Sequence, residues 1–200
     1  MAKSEPKKMR IGIFGGTFNP IHNGHLNLAK EALKQLKLDK IFFVPTYIPV
    51  HKEVDDKIGL RDRLHMLRLA IKGNGRFAVS EYEVKRRRKI YSIDTLKYFK
   101  KRFGNKAGLY FIIGSDSLGE IHTWKDIEKA FSLAKFVVGK RHGYPIKCYT
   151  DNIVAISIKE SRVSSSDIRG RIKENRPFGT LVPKAVAAYI KKRALYRTAQ

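Results

Sequence analysis

The chain has a single cysteine, Cys148, which excludes an internal disulfide and agrees with a reducing compartment. No apolar run approaches a membrane span, and the opening MAKSEPKKMR is polar and basic with no signal-like stretch behind it. A soluble cytoplasmic protein is therefore expected. Internal repeats and low-complexity tracts are absent. Neither G-x-G-x-x-G nor G-x-x-x-x-G-K-[ST] occurs, so any nucleotide is held in another way. Carboxylates are scarce, with 18 Asp and Glu against 42 Lys and Arg and a formal net charge of +24. That excess invites a nucleic-acid reading. The basic residues are dispersed, however, over Lys7, Lys8, Arg10, Lys85 to Lys89, Lys100 to Arg102, Lys140-Arg141 and Lys191 to Arg193, and no nucleic-acid module accompanies them. A generally cationic surface that draws in small anions fits better. An apolar content of 42% excludes a disordered chain, and 200 residues suit one domain with a real core.

What the chain does have is the stretch RIGIFGGTFNPIHNGHLNL, from Arg10 to Leu28. An apolar run from Ile11 to Phe14 ends in Gly15-Gly16, a polar loop carries Thr17, Phe18, Asn19 and Pro20, and His22 and His25 lead into a helical pattern. The spacing predicts strand, glycine turn and helix. Adjacent glycines let a ligand approach the main chain, and free N–H groups at a helix start favour an anion. Two histidines three residues apart can donate to the same phosphate. Two plainer readings stand beside this one: the glycines as a simple turn, and the histidines as one surface and one half-buried residue. Zinc fits less well, because no third ligand lies close by.

GGTFNPIHNGHL resembles the G-G-T-F-D-P-x-H-x-G-H signature of the HxGH nucleotidyltransferase superfamily, specifically the bacterial nicotinate-mononucleotide adenylyltransferases. Asn19 stands where most relatives carry Asp, keeping the hydrogen-bonding shape and losing a charge. The resemblance runs from about Met9 to Tyr196 and implies a Rossmann-like, doubly wound α/β fold: a parallel sheet with helices on both faces and a C-terminal helical segment over about 164–196. A flexible basic lead-in over residues 1–9 and a single domain over 10–200 are expected.

Along the chain, Leu26, Ala29, Leu33 and Leu36 mark a helix and Ile41 to Val44 a strand, together a parallel βαβ unit with a right-handed crossover. The loop PTYIPVHK follows at the strand's carboxyl end, where open α/β sheets bind ligands. It carries His51 and Lys52, which read as solvent decoration on their own and as a mononucleotide-phosphate contact by the resemblance. Leu60, Leu64, Leu67 and Ile71 predict a second helix, Phe77 to Val84 a strand, and KRRRK a loop. In YSIDTLKYF, Ser92 can cap a helix; the resemblance makes Tyr91, Asp94 and Thr95 candidates at the nicotinate site. Leu109 to Ile113 is a buried strand ending at Gly114. Asp116 reads either as a helix cap or as a ribose contact, and Trp124 as core or, by the resemblance, as the platform for the nicotinate ring. Phe136 to Val138 and Ile153 to Ile156 are the last strands. SRVSSSDIRGRI makes either a capped helix start or an anion clamp of Ser164, Ser165, Ser166 and Arg169, resembling the family's I-S-S-[ST]-x-I-R element that holds ATP's outer phosphates. The tail LVPKAVAAYIKKRALY is an amphipathic helix.

The resemblance thus implies a transferase of NAD biosynthesis, carrying the adenylyl group of ATP to nicotinate mononucleotide. ATP would meet Gly15, Gly16, Thr17, Phe18, His22, His25, Gly114, Asp116, Ser164, Ser165, Ser166 and Arg169. The mononucleotide would meet Asn19, His51, Lys52, Tyr91, Asp94, Thr95 and Trp124. His22, His25, Lys52 and Arg169 would carry catalysis. Mg²⁺ would arrive with ATP, with no metal site of the protein's own. A homo-oligomer is left open. Rivals within the class are adenylyltransferases for nicotinamide mononucleotide or phosphopantetheine, and cytidylyltransferases. A nucleic-acid-binding protein on the same fold is the distant rival, and intact His22, His25, Lys52 and Arg169 speak against it.

Overall fold

Side chains alternate along each strand, and both sets are apolar. In β1 (Met9–Gly16), Ile11 and Ile13 join one core and Phe14 the other. Phe42 and Val44 of β2 (Lys40–Pro45) and Leu109, Phe111 and Ile113 of β4 (Ala107–Ile113) share the first core, while Ile41, Phe43 and Ile112 share the second. Strands apolar on both faces demand a parallel sheet covered on both sides.

The computed structural model describes residues 8–48, 58–114, 117–140, 151–158 and 163–197. It has that sheet: six strands, all parallel, in the order β3-β2-β1-β4-β5-β6, with β3 (Phe77–Val79), β5 (Lys135–Lys140) and β6 (Ile153–Ser157) completing the set. α1 (Asn23–Gln35), α2 (Leu60–Ile71), α6 (Ser165–Lys173) and α7 (Lys184–Lys192) supply buried residues to the core that holds Phe14; α4 (Ser92–Phe103) and α5 (Ile127–Leu133) supply the other. The expected doubly wound α/β architecture is observed. At Gly12 a Cβ would come within 2.8 Å of Ile41 and 3.0 Å of Leu38, so glycine lets the central strand sit under α1's connection to β2.

Three local expectations are corrected. The strand expected to run on to Val84 stops at Val79, and a short helix, α3 (Tyr82–Arg86), takes over. There Glu83 turns inward and Arg87, at φ 50°, ends the helix within what was expected to be a loop. Ser92 does not cap α4: Tyr91 holds the cap position, and Asp94 reaches back to accept from its N–H at 3.4 Å. The first strand begins at Met9, paired with Ala107, so that residue belongs to the sheet rather than to the lead-in. No helix among the described residues is long and apolar enough to cross a membrane.

Strand order reverses between β1 and β4. In such sheets the crevice outside the carboxyl ends of the two reversing strands is where ligands bind.

Candidate active site

β1 runs straight through both glycines: Gly15 pairs with Val44, Gly16 with Pro45, and neither is left-handed. The expected glycine turn is therefore one residue pair later. The bend falls on Phe18, at φ 48°, followed by a cis Asn19-Pro20 bond. Gly16 is needed for space instead, since a Cβ there would lie 3.0 Å from the Phe18 ring. That ring is only 2% exposed, wedged against Phe14 and Phe43 and 5.2 Å from His25. The Phe18 ring thus supports the loop from the core. Gly15, Gly16 and Thr17 remain half-exposed at the sheet's carboxyl edge.

The two histidines cap the helix and each other. His22 is the N-cap of α1, its Nδ1 accepting from the His25 N–H at 3.4 Å, while the Nδ1 of His25 accepts from the His22 N–H at 3.3 Å. The rings stack with centroids 3.6 Å apart. An Nδ1 that accepts carries no proton, so each neutral imidazole bears its hydrogen on Nε2. Burial first, and the adjacent His22 second, hold His25 well below its ordinary 6.5. At neutral pH His25 is an uncharged Nε2–H donor.

The helix start offers less than expected. The Asn23 N–H donates to Leu181 O at 2.9 Å, that of His25 to His22, and that of Leu26 to His22 O. Among the first residues of α1 only the Gly24 N–H lacks an acceptor among the described residues. No acidic side chain occupies the first turn, so the positive end of the helix is not neutralised there.

α6 closes on the same loop from the far end of the chain. Ser164 caps the helix, accepting from the Asp167 N–H at 3.0 Å. The Ser165 hydroxyl donates to Pro20 O at 2.9 Å, and Arg169 donates to Asn19 O at 3.0 Å and to Ser166 at 3.5 Å. The structure therefore brings Ser164, Ser165, Ser166 and Arg169 to the loop that precedes His22. Asn19 itself is 2% exposed, and its Oδ1 accepts from the Tyr196 hydroxyl at 2.7 Å. Expected to meet the mononucleotide, this side chain is instead turned inward as a loop anchor.

The acceptor-side candidates divide likewise. Tyr91 is half-buried, with the ammonium groups of Lys125 and Lys89 4.7 and 5.6 Å from its ring. Trp124 is half-buried too, edge-on to Phe111 and tilted on Phe136, so one part of the ring is core and the rest faces outward. Thr95 is 1% exposed and its hydroxyl donates to Glu83 Oε1 at 2.7 Å, so that hydroxyl is turned into the core. Asp94 is half-buried and serves the α4 cap. Gly114 directly follows β4, and its carbonyl accepts from the Ser117 N–H at 3.1 Å. His51, Lys52 and Asp116, and with them Cys148, lie outside the described residues.

Sequence reasoning missed two buried charged groups. Arg63 is 6% exposed on α2 and donates to Thr17 O, Thr46 O and Tyr47 O. Its signal was available: it occupies an apolar position in the series Leu60, Leu64, Leu67. Glu83 is pushed up from 4.5 to about 7, first by burial.

The chain matches the family model described as cytidylyltransferase-like over residues 13–171. It is 41% identical over 203 residues to a probable nicotinate-nucleotide adenylyltransferase of Corynebacterium glutamicum, covering 98% of this chain and 93% of that one. A protein of the same description from Clostridium tetani is 40% identical over 196 residues, covering 92% and 98%. Among solved structures, the Plasmodium falciparum nicotinic acid mononucleotide adenylyltransferase complexed with NaAD superposes with a TM-score of 0.77 at 21% identity, over 94% of this chain and 97% of that one. A paired-histidine helix start at the point where strand order reverses, and likeness along nearly the whole length, lead to one assignment: the chain belongs to the nicotinate-nucleotide adenylyltransferases of the cytidylyltransferase-like family.

Proposed function

We infer that the protein transfers the adenylyl group of ATP to nicotinate mononucleotide, giving nicotinate adenine dinucleotide and pyrophosphate. The observation that carries the assignment of roles is the reciprocal His22–His25 cap at the start of α1, which uses both Nδ1 atoms as acceptors and so places the proton of each neutral ring on Nε2.

The acceptor's 5′-phosphate has a second pKa near 6 and is mostly dianionic at neutral pH. It attacks the α-phosphorus of ATP without a general base; the new P–O bond forms as the bridging bond to the β-phosphate breaks, and the electron pair leaves on pyrophosphate. No Ser-His-Asp, Cys-His or paired-carboxylate set is required. The protein's tasks are alignment and stabilisation of charge that moves during the reaction. His22 and His25 donate to the α-phosphate oxygens, with the Gly24 N–H beside them. Arg169, already on Asn19 O, supplies fixed charge toward the outer phosphates with Ser164 to Ser166. The role at the acceptor phosphate is assigned to Lys52 on its P-V-H-K motif alone. Tyr91 and the outward part of Trp124 receive the pyridine ring. Mg²⁺ enters as part of the MgATP substrate.

The test is pyrophosphate release from MgATP with nicotinate mononucleotide and, in parallel, nicotinamide mononucleotide, the product verified by mass. Strong preference for the acid is expected. Equal use of the amide would leave the reaction class standing and remove the acceptor assignment.

A further inference from the structure

Arg63 has no place in the chemistry described so far, yet it is among the most deeply buried charged groups. Its Nη1 donates to Thr17 O and to Thr46 O, each at 2.8 Å, and its Nη2 points to Tyr47 O at 3.4 Å. Thr17 is the first residue beyond β1 and Thr46 the first beyond β2, so one guanidinium spans the two loops at the carboxyl edge of the sheet. The Thr46 N–H donating to Gly16 O at 3.0 Å closes the same joint.

All three acceptors are neutral carbonyls. The nearest acid in sequence, Asp62, is engaged elsewhere: it accepts from the Tyr189 hydroxyl at 2.6 Å and lies 3.8 Å from Arg193. Among the described residues no carboxylate pairs with Arg63. Burial lowers its pKa, and the nearby Tyr196 opposes that; a guanidinium stays charged all the same. Burying a cation without a counter-ion is costly, and a neutral donor could bridge two carbonyls at less expense. Among the described residues the guanidinium is thus held by loop carbonyls alone, and it lies beneath both loops at the carboxyl edge of the sheet.

Building on the adenylyltransferase reading, we propose that Arg63 is a positioning residue for the transfer: it locks the loop after β1 against the loop after β2 and so fixes the carboxyl edge of the sheet on which the substrate phosphates are aligned. It touches no reacting atom and acts through Thr17, Thr46 and Tyr47.

The experiment compares Arg63→Lys and Arg63→Gln with wild type, measuring kcat, both KM values and the melting temperature. Losing fork and charge together, Arg63→Gln should lower kcat about thirtyfold or more, by analogy with lost alignment and charge stabilisation, with KM for MgATP raised less than kcat falls. Arg63→Lys keeps the charge and should recover a clear part of that loss at near-native melting temperature. Wild-type kcat per folded enzyme in both variants would overturn the proposal, as would a loss confined to melting temperature. If Arg63→Gln does not fold, the lysine variant decides alone: kcat lowered about threefold to tenfold supports the proposal, and unchanged kcat overturns it. Should wild type release no pyrophosphate with either mononucleotide, the adenylyltransferase reading has failed separately. Hydrogen exchange then reads the joint directly: faster exchange at Thr17 and Thr46 in Arg63→Lys sustains it, and unchanged exchange removes it.

Discussion

The loop after β1 is held by Arg63, Ser165, Arg169 and Tyr196, partners that lie 46, 145, 150 and 177 residues from the positions they bind. The corner between α3 and α4 closes on itself: Thr95 on Glu83 and Tyr82 on Asp94 each span 12 residues, and Tyr91 on Asp94 spans 3. These long-range bonds, three to main-chain oxygens and one to the Asn19 side chain, set a shape that exists only when the whole domain has closed. Such a loop suits alignment, where small displacements are expensive. The corner is set by sequence neighbours and by half-buried aromatic and exposed cationic side chains. Turnover should therefore reside in the first region and acceptor affinity in the second.

The largest effect should come from His25→Ala, with kcat falling roughly a hundredfold or more and KM values changing little, by analogy with loss of a single oxyanion donor; steady-state kinetics on both substrates checks this. Near-normal turnover would remove the paired donors from the chemistry and the comparison with them. Next, Trp124→Ala should raise the acceptor KM about tenfold through lost aromatic stacking, leaving the KM for ATP in place. A collapse of kcat there would show that the acceptor side, where Lys125 beside Trp124 meets the Tyr91 ring of the corner, also aligns. The smallest effect sharpens the autonomy of the corner. Because Glu83 is raised from 4.5 to about 7, the folded protein holds a proton that the unfolded chain releases, and stability falls as pH rises through that window. Glu83→Gln keeps the acceptor for Thr95 and cannot ionise. Its melting temperature should match wild type near pH 4 and exceed it by about 5 °C at pH 8, with kcat unchanged; a gap that shrinks with pH would reverse the assignment.

Much of this was legible in the residues. Apolar runs bounded by helical periodicity gave the alternating strands and helices, and the ordered motifs gave the reaction class. What escaped has a common physical cause: side-chain direction. Tyr82 and Val84 alternate like a strand over too short a span to reveal a turn of helix. Asn19 and Thr95 look like ligand contacts because they are polar residues within binding motifs, yet both spend their polar atoms on buried partners. The glycine pair suggested a bend because glycine tolerates one, whereas Gly16 makes room for a ring and Phe18 takes the strained conformation. Arg63 looked like one more solvated base in a strongly basic chain, and only its place among leucines sets it apart.

The hydrogen bond from Tyr196 to Asn19 also orders events in time. Asn19 leaves the ribosome 177 residues before its partner, a delay of roughly 10–35 s at ordinary rates of synthesis. During that interval the nascent chain carries the whole histidine motif without the anchor beneath it. An interrupted product ending before α6 would display the motif with Arg63 and without Ser165, Arg169 and Tyr196, three of the four partners that hold its loop.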